Sequence, residues 1–145
     1  MSGITAAAAI VAERDASGVT RLPVLSSQVP LVLRATPDAV YLVGGAAGPL
    51  GGDDLSLTID VREGATLRLR TAAASVALPG RDAAESVLRI TATVGRGACL
   101  EFLPEPVIVA DRAAHRVAEG AAELADRRTG TAKDHCRGHL GVVSP

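Results

Sequence analysis

Strict alternation of apolar and polar residues runs through Leu55-Ser-Leu-Thr-Ile-Asp-Val-Arg62. A period of two places every second side chain on one face, so this segment predicts a strand buried on one side only. The same pattern returns in Thr66-Leu-Arg-Leu-Arg70 and in Leu88-Arg-Ile-Thr-Ala-Thr-Val94, and Cys99-Leu-Glu-Phe-Leu103 follows with Glu101 between two apolar neighbours. Glu63-Gly64 between the first two runs reads as a hairpin or a corner, with glycine free to take positive φ. Gly95-Arg-Gly97 punctuates the later pair. Shorter strand candidates are Val29–Arg34 and Ala39–Val43, separated by Pro37-Asp38, and Val107–Ala110 after Pro104 and Pro106.

Arg62-Glu-Gly-Ala-Thr66, Gly95-Arg-Gly-Ala-Cys99 and Ala118-Glu-Gly-Ala-Ala122 share a Gly-Ala corner at unequal spacing. That is not a strict solenoid repeat, but it fits stacked strand–turn–strand layers, each burying its face on the next. Helix is expected to be scarce. Only Ala118–Arg128 has helical composition, and Gly120 weakens it. The expected fold is all-β. Residues 1–125 form its domain, and 126–145, where alternation gives way to charge and glycine, form a poorly ordered tail.

The aromatic residues are Tyr41 and Phe102, with no Trp, so the core must be built from Val, Leu, Ile and Ala. The net charge of −1 comes from interspersed acids and bases, without the basic patch and stacking aromatics of a nucleic-acid binder. No apolar run is long enough to span a bilayer. Ile4–Ala12 is apolar, yet no basic residue precedes it and Glu13, Arg14 and Asp15 follow, which argues against a signal peptide. Two cysteines, Cys99 and Cys136, are too few for a disulfide framework. These features together lead to the expectation of a soluble cytoplasmic protein.

Gly44-Gly-Ala-Ala-Gly-Pro-Leu-Gly-Gly-Asp-Asp54 resembles a phosphate loop only in its glycines. Asp53 and Asp54 stand where Lys and Ser or Thr are needed, and their charge would repel phosphate. A tight connection between strands is the plainer reading. Asp53, Asp54, Glu101, Glu105 and Asp111 could pair for acid–base work, but solvated surface carboxylates are the default. Glu101, between Leu100 and Phe102, is expected on the polar face of its strand. His135, Cys136 and His139 place three donors suited to nickel, zinc or copper in one short segment. A second ligand pair is missing, so they are weak candidates for a metal site.

Taken in order, several segments resemble the UreD (UreH) family of urease accessory proteins, in its actinobacterial form. They are Val40-Tyr-Leu-Val43, Gly48-Pro-Leu-Gly-Gly-Asp53, Gly64-Ala-Thr-Leu-Arg-Leu-Arg-Thr-Ala-Ala-Ala-Ser75, Leu100-Glu-Phe-Leu-Pro-Glu105 and Val107-Ile-Val-Ala-Asp111. Val76 departs from the family pattern, where many members have Lys. The resemblance implies a β fold of helically stacked strands and a non-catalytic scaffold. It would bind UreF, UreG and urease subunits, with no tightly bound cofactor and nickel in transit. It also implies a nickel-path or partner-interface role for Asp53, Ser75 and Glu101, and makes Gly48, Gly51 and Gly52 motif glycines. Family chains are well over this length, which points to a truncated or divergent C-terminus. Two other classes stand beside this one: a small β-rich module unrelated to urease, and a metal-dependent enzyme using the tail cluster with Asp53 or His115.

Overall fold

A computed structural model describes residues 3–82 and 84–123. It contains eleven strands and, among the described residues, no helix. In chain order they are β1 (Thr5–Arg14), β2 (Thr20–Ser26), β3 (Leu31–Ala35), β4 (Val40–Gly44), β5 (Asp54–Val61), β6 (Thr66–Thr71), β7 (Ser75–Ala77), β8 (Ser86–Val94), β9 (Cys99–Leu103), β10 (Val107–Val109) and β11 (His115–Glu123).

The chain winds through three sheets in turn. The first sheet has the order β11-β8-β5-β1-β2, the second β3-β4-β6-β9, and β10 and β7 form a third, two-stranded strip. β5, β6 and β7 make one circuit, and β8, β9 and β10 stack on it in parallel register. β11 begins the next circuit by pairing with β8. The stacked strand–turn–strand expectation therefore holds. Glu63-Gly64 is a corner rather than a hairpin, because β5 and β6 belong to different sheets.

Alternation explains what fills the coil. Leu55, Leu57, Ile59 and Val61 of β5 face inward opposite Leu67 and Leu69 of β6, and all are buried. Ala6, Ala8, Ile10 and Ala12 continue the core on β1, and Phe102 on β9 adds its ring. Burying one such Leu or Ile side chain is worth roughly 1.5–3 kcal/mol. An apolar cavity of about 30 Å³, lined in part by Ile59, Ile90, Leu100 and Phe102, remains between the sheets. It has room for about one water, not for a substrate.

Two expectations are corrected. Ala118–Arg128 carries helical composition, yet residues 118–123 lie within β11. For the same reason Ala118–Ala122 is not a third corner. Parallel pairing with β8 along the whole of β11 satisfies the backbone groups on one edge of the strand and outweighs the helical preference of alanine and glutamate. β1 and β2 form a hairpin whose turn is tied by Asp15. The Ser17 hydroxyl, the Arg21 guanidinium and the Val19 amide hold that carboxyl well below the usual range. The tail candidates His135, Cys136 and His139 lie outside the described residues.

Candidate functional site

Gly48–Asp53 forms the corner that carries the chain from β4 of the second sheet into β5 of the first. Leu50 bridges Leu78 in parallel, and the Gly51 amide donates to the Leu78 carbonyl at 3.0 Å. The next circuit passes close behind. A Cβ on Gly51 would lie 2.4 Å from the Gly80 nitrogen and 2.5 Å from the Ala84 carbonyl oxygen, a fit only glycine allows. Gly48 and Gly52 have φ of 131° and 92°, in the region that disfavours side chains.

Asp53 closes the corner, only 4% exposed. Its Oδ1 accepts from the Ile4 amide and its Oδ2 from the Leu50 amide, both at 2.9 Å. The Asp53 amide donates to the Leu50 carbonyl at 3.0 Å, and its carbonyl accepts from Val87 at 2.8 Å. A buried carboxylate is stable only when its oxygens are hydrogen-bonded, and here both are. Of the loop amides that could have cradled a phosphate, Leu50 holds this carboxylate, and Gly51, Gly52 and Asp53 donate to the Leu78, Glu85 and Leu50 carbonyls.

The column above Asp53 is polar as well. Asp54 pairs with Val87, so the preceding residue Asp53 sits beside Ser86, and Ser86 pairs with His115. Ser86 is fully buried; its Oγ lies 2.8 Å from His115 Nδ1 and 3.4 Å from the Ala114 carbonyl oxygen. Burial pushes the His115 imidazole below its ordinary pKa, against the opposing pull of the Ser86 hydrogen bond and the Glu85 carboxylate. Glu85 is itself held by Arg116 at 3.0 Å. A hydroxyl sealed from solvent has no path to a substrate, so the Ser86–His115 pair is not a nucleophile with its base.

The other two candidates stand elsewhere. Ser75 opens β7 in the third strip, where its amide donates to the Pro106 carbonyl at 3.2 Å. Glu101 lies on the outer face of β9. Its Oε1 accepts from Arg70 Nη2 at 2.6 Å, and Arg68 Nε stands 3.4 Å from Oε2. Asp53, Ser75 and Glu101 thus occupy three different parts of the coil. Among the described residues no three His, Cys, Asp or Glu side chains converge as metal ligands. No described helix is long and apolar enough to cross a membrane.

Ser86 and Gly80 belong to this corner and were missed in sequence. Ser86 had one faint signal: it is the polar residue that opens β8 just as Asp53 precedes β5.

Comparison with known proteins bears on the whole coil. The family described as UreD urease accessory protein matches residues 5–125. The urease accessory protein UreD of Parafrankia sp. (strain EAN1pec) is 43% identical over 143 residues, covering 95% of this chain and 48% of that protein. The UreD of Frankia alni is 38% identical over 163 residues, covering 97% of this chain and 55% of that protein. UreD 3 of Streptomyces griseus is 44% identical over 115 residues, covering 74% and 45%. The chain spans about half the length of these curated relatives.

Proposed function

Because the chain belongs to the UreD family of urease accessory proteins, we propose that it is a non-catalytic scaffold on which apo-urease meets UreF and UreG for nickel insertion. The observation that carries this reading is the extent of the family match: it takes in β1 to β11 together with every corner between them. Family membership removes the alternative of a β-rich module unrelated to urease.

Within this reading nickel is cargo, not a resident cofactor. A hard carboxylate site would suit brief transfer better than storage. Asp53 has both oxygens committed to backbone amides, so its part is to fix the corner that places β1, β5 and β8. Ser75 and Glu101 are only part-buried and can meet a partner. The work of such a protein is to hold surfaces in register, and a parallel coil does this well. Each circuit is locked to its neighbours by a continuous ladder of backbone bonds.

Co-purification tests the proposal. The tagged chain, expressed with urease subunits, UreF and UreG, is expected to retain them, and urease activity in nickel medium should depend on it. No association, under conditions where a longer relative associates, would overturn the reading.

A further inference from the structure

The outer face of the second sheet carries more positive charge than it neutralises. Its four strands read Leu-Val-Leu-Arg-Ala, Val-Tyr-Leu-Val-Gly, Thr-Leu-Arg-Leu-Arg-Thr and Cys-Leu-Glu-Phe-Leu, so Arg34, Arg68 and Arg70 face the single carboxylate of Glu101. Leu33, Val40, Leu67 and Leu69 point into the core, and alternation turns the arginines and Tyr41 outward. Arg34 pairs in register with Tyr41, and Tyr41 with Arg70, forming one row across three strands. Arg68 pairs with Glu101 in the adjacent row.

These arginines are unequally satisfied. Arg70 gives its short bond to Glu101, while Arg68 is the longer contact and its side chain is 58% exposed. Arg34 is exposed and donates to its own Leu33 carbonyl at 3.3 Å. The outer side of the first sheet and its corners differ. There Arg89 pairs with Asp54, Arg62 with Glu13 and Arg116 with Glu85.

We propose that the face centred on Arg34, Tyr41 and Arg68 is a docking surface for an extended, acidic segment of a partner protein. This rests on the scaffold reading for the existence of a partner and adds the surface and its chemistry. Guanidinium groups match carboxylates in geometry as well as charge. The face already seats one carboxylate: Glu101, with a separate arginine at each oxygen. Adjacent strands lie roughly 4.8 Å apart, so Arg34 and Arg70 stand roughly 10 Å apart across Tyr41. Same-side residues of an extended peptide recur at roughly 6.7 Å, a spacing the flexible arginine arms can follow. Tyr41 adds a rigid ring and a hydroxyl at little entropic cost. A nucleic acid is the poorer fit, because Tyr41 is the one aromatic side chain among the outward-facing residues of these strands.

Fluorescence anisotropy with the full chain tests this, using labelled octaglutamate, octaglutamine and oligothymidylate as probes. Octaglutamate is expected to bind, and to weaken as salt rises from about 50 to about 200 mM. Arg34→Gln with Arg68→Gln should weaken it by roughly tenfold, while Arg89→Gln on the first sheet should leave it within about twofold. Thermal unfolding of each variant verifies that it is folded. Absent binding, equal binding of octaglutamine, tighter binding of oligothymidylate, or no loss in the double variant would overturn the proposal. Failure here in a chain that still co-purifies with urease subunits would sink only the docking surface. Failed co-purification would sink the scaffold reading.

Discussion

The two kinds of corner that return the chain to its sheets are held by different means. At Arg62–Ala65 and Gly95–Ala98 the backbone does the holding. The Arg62 amide donates to Ala12 at 2.9 Å, the Gly95 amide to Val61 at 2.7 Å and the Gly64 amide to Arg96 at 3.0 Å. At Gly48–Asp53 and its stacked neighbours, side chains join the backbone: the buried Asp53 carboxylate and Ser86 hydroxyl, with the half-buried His115 ring. A backbone ladder spreads stability over many groups and tolerates substitution. A buried carboxylate concentrates it in one residue. The Gly48–Asp53 corner thus depends on one carboxylate for its two side-chain bonds.

Substitutions should separate the corners. The largest effect is expected for Asp53→Ala, which strands the Ile4 and Leu50 amides with no acceptor; urea unfolding should show a loss of about 3–5 kcal/mol. Gly51→Ala comes next, because the new Cβ meets backbone at Gly80 and Ala84 rather than a yielding side chain. Its cost should be about 2–3 kcal/mol in the same measurement. Gly64→Ala at the other corner is milder. Its φ of 71° carries strain, but the nearest contact is the flexible Arg14 side chain at 3.4 Å, and about 1 kcal/mol is expected. A Gly64→Ala loss as large as that of Gly51→Ala would erase the distinction.

The smallest effect is in pH dependence. The folded chain holds His115 below its ordinary pKa, so the unfolded chain takes up the proton first. The stability this neutral ring permits is present above about pH 6.5 and is lost as pH falls from there toward the folded value. The urea midpoint should therefore drop between about pH 7.5 and 5.5, and less steeply in His115→Asn. An unchanged slope would remove His115 from the polar corner.

Much of the coil was legible because β5, β6, β8 and β9 each bury one face and expose the other, and alternation reports that directly. β1 was hidden by alanine: Ala7 and Ala9 face outward but are as apolar as the buried Ala6 and Ala8. β11 was hidden by its helical composition, since its pairing with β8 is a long-range fact no local window contains. The same limit applied at the site. Asp53 stood out as the acid closing a glycine loop, but its partner Ile4 lies 49 residues away, and the His115 that meets Ser86 lies 29 residues on. Glu101 was placed on the polar face of its strand from neighbours alone, and alternation was sufficient for that.

The acid of the Gly-Gly-Asp motif is an anchor of the fold, holding the Ile4 and Leu50 amides. Asp53→Asn tests it most directly, because the shape is kept while one acceptor becomes an NH2 donor facing an amide N–H. Urea unfolding should show a loss of about 1–3 kcal/mol with an unchanged slope. An unfolding midpoint equal to that of the unaltered chain would contradict it.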